Sequence, residues 1–170
     1  MNNNHHHYMG IEMNNQTWSL LDKKDRSEQD DIRMINYAKA SLYHWRKSDK
    51  YTNVNEQRGK WLISHVFAIL GKSNEALSYA KETLKITNDN NLIDFDLAYA
   101  YEAMARAYSI ANNQNESKEL YKKAKVAGDL IVSEKDKEYF ILYLNSKYKK
   151  SFPSCFHGQK STNYFLGVVL

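Results

Sequence analysis

Residues 20–150 contain no proline and only three glycines, and a stretch this long without helix breakers leaves few fold classes open. Apolar residues recur within it at steps of three and four, which puts them on one face of a helix. Ile35, Ala38, Leu42 and Trp45 show this spacing near the start of the stretch. No strand is needed to explain the pattern anywhere in it. The sequence therefore predicts an all-α domain over residues 20–150.

Short polar breaks divide the predicted domain into about six helices. The break at 88–91 reads Asn-Asp-Asn-Asn, side chains that compete for backbone hydrogen bonds. Gly71 stands where a helix end favours a left-handed residue, and Ser133 with Asp136 is typical of a helix start. Because the breaks are short, consecutive helices are expected to form antiparallel hairpins. The predicted helices cover about 29–47, 55–70, 73–87, 94–111, 115–130 and 134–148.

The chain also repeats itself at a shift of 41 residues. Two positions of the shifted alignment hold small residues, which would let antiparallel helices approach closely, and a third holds aromatic residues. This is the logic of a helical-hairpin repeat, in which each unit buries its apolar face on the next. The coinciding pairs are Ser64 with Ala105, Ala76 with Ser117, and Phe67 with Tyr108.

The repeated segments, NEQRGKWLISHVFAILGKSNEALSYAKETL and DFDLAYAYEAMARAYSIANNQNESKELYKKA, resemble tetratricopeptide-type helical hairpins. With the preceding LYHW, they are also similar to a group of small bacterial tetratricopeptide-like proteins. The family's terminal proline is absent from both segments, and Trp61 lies one place away from the consensus tryptophan. The positions that match the family pattern are Phe67, Gly71, Ala76 and Ala80 in the first segment, and Tyr108, Tyr121 and Ala124 in the second.

The resemblance implies antiparallel hairpins stacked as a short right-handed solenoid. Its repeat units would span about 57–90 and 98–131, flanked by helices at about 29–47 and 134–148. Fold is implied more strongly than function, because one fold hosts many functions.

In such a solenoid the first helix of each hairpin lines a concave groove, and the resemblance places one mixed set of side chains there. Trp and Tyr supply contact area and Arg binds carboxylates bidentately, so the set suits a peptide segment or a partner protein. The same residues could instead only hold adjacent helices in register, and both interpretations stay open. The predicted groove residues are Arg58, Trp61, His65, Tyr99, Glu102 and Arg106.

A polar pocket beside the groove is the alternative site. There, two histidines (His44 and His65) and the carboxylates of residues 94, 96 and 102 would serve a small-ligand or metal-binding sensor or an enzyme. The chain contains no HExxH, CxxC or GxGxxG motif, so we expect a non-catalytic protein with no cofactor and no metal. The two aspartates are equally explained as helix-start residues. The pocket residues are His44, Trp45, Asn55, Asp94 and Asp96.

The net charge of +4 does not indicate a nucleic-acid partner. The excess lies in residues 118–150, where nine lysines are interleaved with five acids, as on a solvated helix face. Apolar stretches are far shorter than the roughly 20 residues that span a membrane. Cys155 has no second cysteine to pair with, so nothing requires an oxidising compartment. We expect a cytoplasmic protein with a protein or peptide partner.

Both ends of the chain depart from the helical pattern. Residues 1–19 are polar and aperiodic, and we expect a disordered tail whose His5-His6-His7 run could chelate a transition metal without belonging to the fold. Residues 151–170 hold the only proline and are expected to be irregular. With two recognisable repeats the array leaves its ends uncovered, so a homodimer through one end is a further expectation.

Overall fold

The computed structural model describes the backbone of residues 3–148 and the side chains of residues 5–145. Seven α helices occupy nearly all of this part of the chain, and it contains no strand. The predicted all-α class is confirmed, with one helix more than the sequence indicated. The helices are α1 (Asn3–Leu21), α2 (Glu28–Lys47), α3 (Asn53–Ile69), α4 (Ser73–Asp89), α5 (Phe95–Ile110), α6 (Gln114–Asp129) and α7 (Glu134–Tyr148).

Consecutive helices pack against each other along the described chain, and α3 also packs against α5. The strongest pairings are α1 with α2, α3 with α4 and α5 with α6, which is compatible with stacked helical hairpins. Every residue from Trp61 to Ala68 is buried, so α3 lies in the middle of the molecule. The core therefore forms around α3 and α5, with the other helices covering them.

The two central hairpins repeat the same contact at the spacing found in the sequence. In α3 the Ser64 hydroxyl donates to the carbonyl oxygen of Ala76 in α4, at 2.9 Å. In the next hairpin the direction is reversed, since Ser117 of α6 donates to the carbonyl oxygen of Ala105 in α5, at 2.8 Å. All four residues are buried. The small pairs thus let the helices approach, as predicted, and one hydroxyl in each pair ties the backbones together.

The ends of α3 and α5 repeat as well. Gly71 and Asn112 both adopt left-handed backbone, with φ of 69° and 60°. The next residue in each case donates its N–H back into the helix, Lys72 to the carbonyl of Phe67 at 2.9 Å and Asn113 to that of Tyr108 at 3.0 Å. Such closed ends satisfy carbonyl groups that the helix leaves unpaired. The expectation for Gly71 is confirmed.

Helix α1 contradicts the expected disorder of residues 1–19, because residues 3–19 are helical. The segment has little amphipathic pattern, so its order comes from packing on α2 rather than from its own sequence. Gly10 lies under the Trp45 ring, where a Cβ atom would stand 3.1 Å from the indole, and its carbonyl accepts from the Ser41 hydroxyl at 2.7 Å. The predicted boundary at residue 20 therefore falls inside a helix.

Arg26 fixes the other end of α1. Its guanidinium donates to the carbonyl oxygens of Leu20, Leu21 and Lys23, at 3.2 to 3.4 Å, and pairs with Asp31 of α2 at 3.0 Å. A cation at a helix C-terminus also interacts favourably with the helix dipole. The turn between α1 and α2 is thus held by one side chain that the sequence analysis did not single out.

A capping box starts α2. The Asp30 carboxylate accepts from the Ser27 N–H at 2.9 Å and from Lys23 Nζ at 2.6 Å, while the Ser27 hydroxyl accepts from the Asp30 N–H. The hydrogen bond from Lys23 has the largest effect and those from Ser27 come next, and together they hold the pKa of Asp30 well below its usual range. Since the pKa is lower in the folded chain, ionised Asp30 stabilises the fold above its ordinary pKa of about 3.9 and loses this effect as the pH falls below it.

Replacing Asp30 with Asn should therefore lower the melting temperature at pH 7, and this difference should shrink as the pH falls below about 4. Thermal unfolding followed by circular dichroism at a series of pH values measures it. Asp25→Asn, at an exposed position of the same turn, is the control and should leave the melting temperature unchanged. A difference of constant size across the pH series would contradict the role of the Asp30 charge.

The predicted irregular segment 151–170, with Pro153 and Cys155, lies outside the described residues. Within the described part, no helix has both the length and the apolar character needed to cross a bilayer.

Candidate functional site

Five of the six predicted groove residues come together, but they are buried rather than exposed along a groove. Trp61 and His65 lie on α3, and Tyr99, Glu102 and Arg106 on α5, each no more than 7% exposed. Two side chains from the outer helices cover them, Trp18 of α1 and Tyr143 of α7. We call these seven residues the inner cluster. The groove expected from the resemblance is therefore filled by the chain itself.

Aromatic rings form the α1 side of the inner cluster. Trp18 stacks on Trp61 with ring centroids 6.2 Å apart, and Trp61 stacks on His65 at 5.3 Å. Trp18 and His65 are 5.7 Å apart, so the three rings contact one another. The edge of Tyr99 meets Trp61 at 5.3 Å. Ring pairs at these separations add to the stabilisation given by burial alone.

Hydrogen bonds form the α7 side. The Tyr143 hydroxyl accepts from Arg106 Nη1 at 2.9 Å and lies 3.4 Å from His65 Nδ1. Tyr143 thus links α5 and α3 to α7. Phe140, one turn earlier on α7, meets Tyr99 edge-on at 4.8 Å. Burial raises the pKa of the Tyr99 hydroxyl well above its usual range, so Tyr99 stays neutral at physiological pH.

A charge pair sits at the centre. Glu102 is fully buried, and its Oε2 lies 3.1 Å from Arg106 Nη2 and accepts from the Trp61 indole N–H at 3.4 Å. The Arg106 guanidinium also lies over the Trp61 ring, 5.6 Å from its centroid. The carboxylate and the guanidinium neutralise each other away from water. Charge balance and hydrogen bonds together hold α3, α5 and α7 in one register.

Arg58, the sixth predicted groove residue, lies beside the inner cluster. Its guanidinium makes a bidentate pair with Asp96 at the start of α5, with N–O distances of 2.8 and 3.2 Å, and lies 5.5 Å from the centroid of Phe95. Gln57 crosses the same interface by donating to the Asp96 carbonyl at 2.9 Å. These contacts tie α3 to α5. They match the alternative that such residues hold helices in register.

The predicted polar pocket is not assembled, because its residues contact different partners. His44 faces His6 of α1, and the Trp45 ring lies over Gly10. Asn55 completes the cap of α3 by accepting from the Thr52 N–H at 2.8 Å, and Asp94 accepts from the Val132 N–H at 3.0 Å. Asp96 pairs with Arg58 as described above. The structure gives these residues separate neighbours, because residues that share a helix end can still turn to different sides.

Sequence reasoning missed Trp18 and Tyr143. Trp18 lies in the segment that is expected to be disordered, and no periodic pattern in that segment indicates a role for it. Tyr143 had a signal: Glu102 lies 41 residues after Trp61, and a second application of the same shift reaches Tyr143. The missed pair is what converts an open row of side chains into a closed cluster.

Within the described residues, no group of three or more His, Cys, Asp and Glu side chains is arranged to hold a metal ion. Comparison with protein-family models, with curated proteins and with solved structures finds no match to this chain. The inner cluster therefore has to be interpreted from its own geometry.

Proposed function

We propose that the protein is a non-catalytic interaction module that binds a peptide segment or partner protein along the inward faces of α3 and α5. One observation carries this proposal. A single row of Trp, Tyr, His and Arg side chains runs through the inner cluster, and Trp, Tyr and Arg are the residues that dominate binding energy at protein interfaces. The resemblance to tetratricopeptide hairpins supports the same location, because in that family the corresponding helices line the groove.

Binding requires α1 to move, because Trp18 occupies the place of a partner's anchor side chain. The contacts of α1 suit a displaceable helix. Several of them are polar and replaceable by water, such as Ser41 to the Gly10 carbonyl and Arg26 to the carbonyls at the end of α1. Asn14 and Thr17 are buried on the same helix. When α1 moves, water can take over the hydrogen bonds of these polar groups.

The partner chemistry follows from what Trp18 contacts. A large aromatic or branched apolar side chain would stack on Trp61 and His65 in place of the indole. Glu102 and Arg106 already neutralise each other, so the proposed segment needs no charge at this point. A partner protein or peptide in the cytoplasm, with no nucleic acid involved, stays the expectation, and a homodimer is a second arrangement of the same kind.

The enzyme or small-ligand alternative has less support. It requires His44, Asp94 and Asp96 in one pocket with His65, and each of these makes its contacts elsewhere. His65 Nδ1 faces the Tyr143 hydroxyl rather than a carboxylate. We therefore favour binding over catalysis.

Loosening α1 should strengthen peptide binding. Arg26→Ala removes the bonds to the end of α1 without touching the inner cluster, and peptides selected from a displayed random library should bind this variant about tenfold more tightly than the parent chain. The gain arises because the binding-competent state is more populated. Fluorescence anisotropy with labelled peptides measures it, with Lys24→Ala at an exposed neighbouring position as the control.

Trp61→Leu tests the location. Peptides that act at the inner cluster should lose affinity for an Arg26→Ala/Trp61→Leu chain that circular dichroism shows to be folded. Equal affinity for parent, Arg26→Ala and the double variant would overturn the proposed site. Failure to select any peptide with Arg26→Ala would overturn the proposed peptide-binding function.

A further inference from the structure

Two histidines meet between α1 and α2, away from the inner cluster. The Nδ1 atoms of His6 and His44 lie 2.9 Å apart, with ring centroids separated by 5.0 Å. Both side chains are partly exposed, so ions from solvent can reach them. Tyr43 packs edge-on against both rings, which limits their rotation. The chain thus presents two imidazole nitrogens in one place, from helices far apart in sequence.

The separation of these nitrogens suits a metal ion. A transition-metal ion sits about 2.0–2.1 Å from an imidazole nitrogen, so two such ligands at adjacent coordination positions lie about 2.9–3.4 Å apart. A neutral imidazole ring is the form that ligates metals, and either of its two ring nitrogens can do so.

We propose that His6 and His44 bind a divalent transition-metal ion, of the Ni²⁺, Cu²⁺ or Zn²⁺ class, and that the ion bridges α1 to α2. Imidazole is a preferred ligand for these ions. Water completes the coordination, because no third protein ligand is arranged beside the two histidines in the described part of the chain. The ion takes the place of the hydrogen bond between the two nitrogens.

The site has a structural consequence for α1. Because its ligands come from two helices, the ion binds only where α1 lies on α2, and it therefore stabilises that arrangement by mass action. His6 is three turns before Trp18 on the same helix. The metal would hold in place the helix that covers Trp61 and His65. This inference does not depend on a peptide ligand.

Calorimetric titration of the full chain with Ni²⁺ and with Zn²⁺, paired with thermal unfolding, tests the bridge. The parent chain should bind one ion and melt at a higher temperature with metal present. His44→Gln and His6→Gln should each weaken binding at least about tenfold, the scale on which metal sites respond to lost ligand support. Both should also abolish the rise in melting temperature.

His7→Gln is the matched control, because it shortens the histidine run by one while leaving the proposed ligands in place. It should bind the ion as the parent does. One result would overturn the bridge: His44→Gln binds the ion as tightly as the parent does, while His6→Gln and His7→Gln both bind it more weakly and to the same extent. The histidine run would then chelate the ion on its own. Binding by the parent without a change in melting temperature also overturns the bridge. A peptide-binding result in either direction leaves this comparison unchanged.

Discussion

Replacing Glu102 with Gln should lower the free energy of unfolding by about 3–5 kcal/mol, the cost of breaking a buried ion pair by removing one partner. Gln keeps the shape of the side chain but removes its charge. Arg106 is only 7% exposed and would then be a buried cation without its counter-ion. Urea unfolding followed by tryptophan fluorescence measures the loss, and it should be the largest of any single charge removed from the described part of the chain.

A double variant separates charge from packing. Glu102→Leu with Arg106→Met replaces the pair by apolar side chains, and it should recover more than half of the stability lost in Glu102→Gln, because no unpaired charge remains. Full recovery is not expected, since the Tyr143 hydroxyl and the Trp61 N–H would each lose a partner. A double variant less stable than the single one would show that the hydrogen bonds outweigh the charge balance.

The helices that the sequence predicts well are those whose signals are local. For α3, α5 and α6 the apolar spacing lies within the segment itself. Gly71 ends α3 and Ser133 starts α7, as expected. Helix α1 has no such local signal. Its order depends on Gly10 fitting under Trp45 and on Arg26 binding its last carbonyls, contacts that exist only once α2 is in place.

The difference between local signals and contacts of distant residues also explains how well the site could be predicted. Spacing alone could place Trp61 with His65 on one face of α3, and Glu102 with Arg106 on one face of α5. Spacing could not tell whether those faces meet solvent, because their cover comes from distant residues. Tyr143 is 78 positions away from the His65 that it contacts. The row of aromatic and charged side chains therefore predicted a binding groove, whereas in the structure the same side chains form a closed cluster.

Replacing Trp18 with Ala should cost about 3–5 kcal/mol of stability, the range for truncating a buried aromatic side chain. Trp18 is 8% exposed and its ring stacks on Trp61 and His65. Hydrogen exchange locates the loss. Amides of α1 should exchange much faster, while those of α3 to α6 keep most of their protection. Trp18→Phe keeps a ring in the stack and should lose much less.

The distribution of the lost amide protection shows whether α1 opens separately from the other helices. If protection falls only in α1, the helix opens as a separate unit and leaves Trp61 and His65 accessible, which is the state that peptide binding requires. If protection falls equally in every helix, α1 is part of one cooperative core, and the inner cluster is a structural element closed to any partner. The stacking of Trp18 on α3 is compatible with either outcome. The polar contacts along the rest of α1 favour separate opening of this helix, because water can replace those contacts at little cost.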